Sequence, residues 1–143
     1  MKGKIFTLDE AERALPLVRS IVMDVMDRYS TLRARLKELQ IGRDAFLAAT
    51  STDPRRDLPS DVADIVDELR GYVEELEGLG CFLKDPEIGL VDFYGEIGGE
   101  IVYFCWRHGE ERVGYWHGLY AGYAGRKPIP AEMMALAHTA ERS

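Results

Sequence analysis

The sequence predicts an α+β fold, a long antiparallel helical hairpin followed by a small antiparallel β-meander and a short C-terminal helix. Three observations carry that expectation. Apolar residues recur every three or four positions from Leu8 to Leu39, and a second, wider apolar stripe runs from Val62 to Leu79. Beyond Gly80 the period drops to two, the signature of strands with one face buried.

Helix one is expected over residues 5–42. Thr7 and Glu10 have the spacing of a capping box, in which each satisfies a backbone donor at the helix start, and Phe6 stands just outside. The seam then reads Leu8, Ala11, Leu15, Val18, Val22, Val25, Tyr29, Leu32, Leu36 and Leu39, a spacing suited to lengthwise packing on another helix. Pro16 lies off the seam. It removes a backbone donor, so a kink or restart is expected there. Residues 43–58 include Thr50-Ser51-Thr52-Asp53-Pro54 and read as a mostly irregular, solvated link, with Phe46 and Leu47 either extending the helix or anchoring the loop.

Helix two is expected over residues 59–79, with Val62, Ile65, Val66, Leu69, Tyr72, Val73, Leu76 and Leu79 on its apolar face. Arg19, Arg28, Arg33 and Arg35 flank the first seam and Asp61, Glu68 and Glu75 the second. In an antiparallel hairpin these rows would face each other with opposite sign. The arginine row would also suit an anionic ligand, but intramolecular pairing and solvation explain it more simply.

The sheet is expected over residues 81–117, with strands at Cys81–Lys84, Leu90–Tyr94, Ile101–Arg107 and Val113–His117. Two-residue turns at Gly98-Gly99 and Gly109-Glu110 would pair Phe93 with Phe104 and Phe104 with Tyr115. One face would then carry Val91, Phe93, Val102, Phe104, Trp106, Val113, Tyr115 and His117 against the helices. The other would carry Leu90, Asp92, Tyr94, Tyr103, Cys105, Arg107, Arg112, Gly114 and Trp116, with Gly114 leaving an open spot beside Cys105. A one-residue slip would exchange the faces. Residues 118–129 form a glycine-rich loop, and residues 130–142 are expected to close the chain as a helix.

Composition limits the function classes. The 143 residues are 46% hydrophobic and 30% charged, with a net charge of −7 and a pI near 5.0. Such a chain is expected to bind neither nucleic acid nor an anionic membrane surface. No apolar run reaches the roughly 20 residues of a membrane span. Two lysines near the N-terminus precede no apolar stretch, which points away from a secretory leader and toward the cytoplasm. There Cys81 and Cys105 are expected to be free thiols.

The chemistry-bearing residues concentrate on the polar sheet face. Cys105 is a candidate nucleophile if Arg107 or a histidine favours its thiolate, although a buried sheet cysteine is the simpler reading. Asp92, Tyr103, Cys105, Arg107, Trp116 and Arg126 are candidate ligand-binding residues, and Gly122, Gly125 and Arg126 suit a small anion. His117 and Glu110 are weak candidates for a metal site, because no close ligand pair of the zinc type occurs. The sequence names no cofactor.

Phe6-Thr7-Leu8-Asp9-Glu10-Ala11, Leu15-Pro16-Leu17, Leu83-Lys84-Asp85 and Gly89-Leu90-Val91-Asp92-Phe93 resemble a family of short uncharacterised bacterial proteins, domain of unknown function 2203. Cys105-Trp106-Arg107, Gly109-Glu110, Tyr115-Trp116-His117 and Gly122-Tyr123-Ala124-Gly125-Arg126 follow in the same order. His108 departs from the pattern, which favours an apolar residue there. The resemblance implies no activity and no catalytic residues, but it draws attention to the sheet and its glycine-rich exit.

Two functions are expected from these features. The first is a non-catalytic binding or protein-interaction module that self-associates through a helical seam longer than helix two can cover. The alternative is a small-ligand-binding protein or enzyme, metal-dependent or not, with an anion-recognising site at Arg107, Cys105 and Asp92.

Overall fold

The computed structural model describes residues 4–134. Helix α1 spans Leu8–Glu38, α2 Arg43–Ser51, α3 Pro54–Asp57 and α4 Ser60–Leu79. Strands follow at β1 Cys81–Asp85, β2 Leu90–Ile97, β3 Glu100–Arg107, β4 Tyr115–His117 and β5 Lys127–Pro128, with a 3₁₀ turn at Tyr123–Gly125. Residues 131–134 begin a last helix; the expected extension to 142 lies outside the described residues. The protein is α+β, as its periodicities predict.

The capping box forms as the sequence implies. Thr7 N–H donates to Glu10 Oε1 at 2.9 Å, and Glu10 N–H donates to Thr7 Oγ1 at 3.1 Å. Helix α1 runs through Pro16 without restarting, and Pro16 faces solvent, where the carbonyl left without a helical donor is open to water. At its far end α4 stops at Gly80, whose φ of +99° closes the helix in the left-handed conformation.

Residues 43–58 are more ordered than the sequence suggested. They form α2 and α3, and the serine-, threonine- and proline-rich stretch ends the first and starts the second. Asp53 accepts the Arg55 N–H at 3.1 Å, with Pro54 at the first helical position. These helices exist because Ala49 and Leu58, with Phe46 beside them, pack on Leu32, Val62, Ile65 and Val66. Of the expected charge pairs between the long helices, Arg35 and Asp61 meet at 2.6 Å. Arg33 reaches Glu87 instead, and Arg28 pairs with its neighbour Asp27.

The five strands are antiparallel in the order β1-β2-β3-β4-β5. The β2–β3 hairpin has the expected register, Phe93 opposite Phe104, and turns at Gly98 and Gly99, both with positive φ. The next pairing is shifted by one. Phe104 faces Trp116, and Tyr115 faces Cys105. The connection is not a two-residue turn but residues 108–114, and β4 is correspondingly short. Glu110 folds it back on β3: its carbonyl accepts from Trp106 Nε1 at 3.0 Å and its carboxylate from the Arg107 N–H at 2.8 Å.

The slip moves Tyr115 and His117 to the outer face and Trp116 to the apolar one. β5 is a second departure, a strand where a loop was expected, paired through Tyr115 and Trp116.

Among the described residues the buried apolar side chains form two clusters. In the larger, Leu8, Ala11, Leu15, Val18, Val22 and Val25 of α1 pack with Val91, Phe93, Phe104 and Trp106 of the sheet. The smaller gathers Leu32 of α1 with α2, α3 and α4. The seam is thus covered within the chain over Leu8–Val18 and again at Leu32. Cys81 and Cys105 are buried free thiols on opposite sheet faces. Among the described residues no helix is long and apolar enough to cross a membrane.

Candidate functional site

The sheet face turned away from the helices holds a buried polar centre. Asp92 of β2 lies directly opposite Cys105 of β3, and His117 of β4 reaches across β3 to meet them. Their exposures are 2%, 0% and 4%. One ligand-type atom of each, a carboxylate oxygen, the sulfur and a ring nitrogen, falls within 4.8 Å of the others.

His117 is oriented from both sides. Its Nδ1 is 2.9 Å from the Gly118 carbonyl oxygen and its Nε2 is 2.9 Å from Asp92 Oδ2. A carbonyl only accepts, so Nδ1 carries a hydrogen and Nε2 faces the carboxylate. The Nε2–Oδ2 contact therefore holds one shared proton. Burial pushes the Asp92 carboxyl up, and His117 opposes that rise. Asp92 Oδ1 is buried without a hydrogen-bond partner. The Cys105 thiol is pushed up to about 12, first by burial and then by the charge of Asp92, with Arg126 pulling the other way.

Arg126, just before β5, closes one side. Its guanidinium forms a two-pronged pair with Glu110, Nη1 to Oε1 at 3.0 Å and Nη2 to Oε2 at 2.7 Å. It lies over the rings of Tyr115 and Tyr123, 3.9 and 4.5 Å from their centroids. Arg107 is exposed at the rim and donates to the Tyr123 hydroxyl at 3.1 Å. On the other side Tyr103 lies 5.3 Å from the His117 ring and stacks on Tyr94 at 5.0 Å. The neighbouring Tyr94 hydroxyl, with burial, pushes the Tyr103 phenol up to about 12.

Of the residues singled out from sequence, Asp92, Tyr103, Cys105 and Arg126 come together, and Arg107 stands at the edge. Trp116 does not belong: it pairs with Phe104 on the apolar side, with Lys127 Nζ 5.6 Å from its ring. The open spot beside Cys105 is also absent, because Tyr115 and not Gly114 faces it. Glu110 is engaged by Arg126 instead of pointing to a metal, and His108 lies apart, edge-on to Trp106.

His117 moves from the presumed apolar face to the centre of the site, and Tyr115 and Tyr123 join the wall around Arg126. A chemical signal for His117 was available. An imidazole on an apolar face has no partner, whereas a shift by one residue sets it against Asp92. Tyr123 stood out only as part of the Gly122–Arg126 string, with no role attached to it.

Fold and site together define an α+β protein whose sheet buries an aspartate–cysteine–histidine centre beneath a clamped arginine. The chain belongs to the family of uncharacterised conserved proteins DUF2203, whose model matches residues 4–129. That span includes every residue of the centre and its wall. No curated protein matches the chain, and no solved structure matches it.

Proposed function

We propose that the protein works through a divalent transition-metal ion, zinc first, held by Asp92, Cys105 and His117 on the outer sheet face, and that it binds or transforms a small ligand there. The observation that carries this reading is the convergence of one oxygen, one sulfur and one nitrogen donor in a buried space. Sulfur with imidazole and carboxylate is a donor set that suits zinc. A carboxylate and a thiolate together offset the charge of a divalent ion, which makes burial of the assembly affordable.

Two further features support it. The Gly118 carbonyl fixes the His117 tautomer that directs Nε2 inward, as the outer partners of metal-bound histidines do. Asp92 Oδ1 has a buried lone pair that no protein group uses. Three protein donors leave a fourth position for water or a ligand, the arrangement of a working site and not of a purely structural one. A reducing, cytoplasmic setting belongs to the same reading, since both thiols are free. Self-association through the long helices has less support, because the chain covers most of its own seam.

Protein purified without chelators from zinc-supplemented cells is expected to carry about one zinc per chain by mass spectrometry of the metal. Cys105→Ser and His117→Ala should each weaken zinc binding by at least ~10-fold. Cobalt substitution should give a thiolate-to-metal absorption band that disappears in Cys105→Ser. Metal-free protein that takes up neither ion at micromolar concentration would overturn the reading.

A further inference from the structure

Resting on that metal-centre reading, we propose that the ligand brought to this face is a carboxylate, that Arg126 recognises it, and that Glu110 occupies the same fork in the ligand-free protein. The side chain of Arg126 is built as a receptor. Its flat guanidinium lies against the Tyr115 and Tyr123 rings, so its direction is set before any ligand arrives. Glu110 meets it oxygen for nitrogen at 3.0 and 2.7 Å, so the group that already fills the fork between the two rings is a carboxylate in two-pronged register. Arg126 lies over Tyr115, the residue paired with Cys105 across β3 and β4, so a carboxylate in the fork stands next to the proposed metal donors.

Glu110 is the replaceable partner. It rides on residues 108–114, which form neither helix nor strand, and the bond that holds its loop to Trp106 comes from its main-chain carbonyl. Releasing the side chain gives up the Arg126 fork and the Arg107 N–H, and leaves that main-chain bond intact. An incoming carboxylate restores the fork, so the half-buried Arg126 is never left unpaired.

The surroundings favour an anion although the chain is acidic overall. Arg107 and Lys84 both stand exposed on this face, and among the described residues the side chain of neither forms an ion pair with a carboxylate. Lys84 instead sits 5.0 Å from the Tyr103 ring and Arg107 bonds the Tyr123 hydroxyl.

Glu110→Gln tests the inference, because glutamine still accepts the Arg107 N–H and removes only the competing charge. Sodium acetate is titrated at constant ionic strength into metal-free and zinc-loaded protein, and the Arg126 Nε–H signal is followed by nuclear magnetic resonance. Half-saturation in Glu110→Gln is expected at a concentration at least tenfold lower than in the wild type. The response should vanish when Arg126→Gln is added, and inorganic phosphate should bind at least tenfold more weakly than acetate. Glu110→Asp, whose shorter arm cannot span the fork, should fall between wild type and Glu110→Gln and serves if the latter is unstable. Equal half-saturation in wild type and variants, or phosphate binding as well as acetate, overturns the proposal. Zinc uptake without an acetate effect also overturns it and leaves the metal centre standing. An acetate effect without zinc uptake supports the carboxylate fork and removes the metal centre.

Discussion

Cys105 owes its character to its neighbours. Packed beside Asp92 and excluded from water, its thiol is held protonated, and burial closes it to reagents. Neither cysteine of the native metal-free protein should react with iodoacetamide at pH 8 as fast as an unfolded thiol, by mass spectrometry of the alkylated chain. Asp92 allows a sharper distinction between holding the fold and holding a metal. Asp92→Asn can still supply a hydrogen-bond partner to His117 Nε2, so its unfolding free energy should lie within about 1 kcal/mol of wild type while zinc uptake is lost. Asp92→Ala strands a buried ring nitrogen and should cost about 1–3 kcal/mol in denaturant unfolding. A purely structural cluster would give Asn and Ala the same rank order in stability but no separate loss of zinc.

The start of α1 gives a prediction at the level of the element. Its capping box holds Glu10 ionised, and its carboxyl is pulled down to about 2, chiefly by the Thr7 N–H and then by Lys4. A carboxyl whose folded value lies below its unfolded one stabilises the fold above the unfolded value, near 4.5. That contribution is lost as pH falls from there toward 2. Glu10 is exposed to solvent, so the effect is modest. Glu10→Gln should cost about 0.5–1 kcal/mol at pH 7 and progressively less below pH 4, read from urea unfolding of both proteins. Within the sheet, Gly95 in β2 lies against the Phe104 ring, and a Cβ there would overlap it. Gly95→Ala should therefore destabilise by about 1–3 kcal/mol, by overpacking rather than by backbone strain.

Elements also show what the sequence could and could not convey. Both long helices and the β2–β3 hairpin follow from local rules: heptad spacing, a capping box, and two glycines at a turn. Residues 43–58 were misread because their order depends on Leu32 and Val66, contacts distant in sequence that override a loop-like composition. The β4 register failed for a related reason. Glu110 sets it by bonding Trp106, the Arg107 N–H and Arg126, and none of these bonds has a signature in spacing. Asp92 and Cys105 were legible as a pair, since the first hairpin fixed them. The place of His117 depended on the second hairpin, so only the chemistry of an unpartnered imidazole pointed to it and the spacing did not.

At the scale of the whole molecule, helices and chemistry lie on opposite sides of one sheet. The apolar face carries Phe93, Phe104 and Trp106 into the main core, while the outer face carries the polar centre. A metal on that outer face would bind the folded chain and not the unfolded one. Zinc at 100 times its dissociation constant should stabilise by about 2.7 kcal/mol, which corresponds to a rise of roughly 10 °C in Tm. Adding a chelator should reverse it, and Cys105→Ser should show no rise. Scanning calorimetry with and without zinc measures all three.

Helix α1 serves two separate clusters, one against the sheet and one against α2, α3 and α4. A shared helix of this kind divides the molecule into regions that open with different free energies. The amides of α2, α3 and the last turns of α1 rest on the smaller cluster, so they should exchange with deuterium through partial opening events. Those of β2, β3 and the first half of α1 should exchange only when the whole chain unfolds. Acetate or zinc bound on the outer face would then slow exchange in the second group and leave the first unchanged, mapping which part of the chain senses the site.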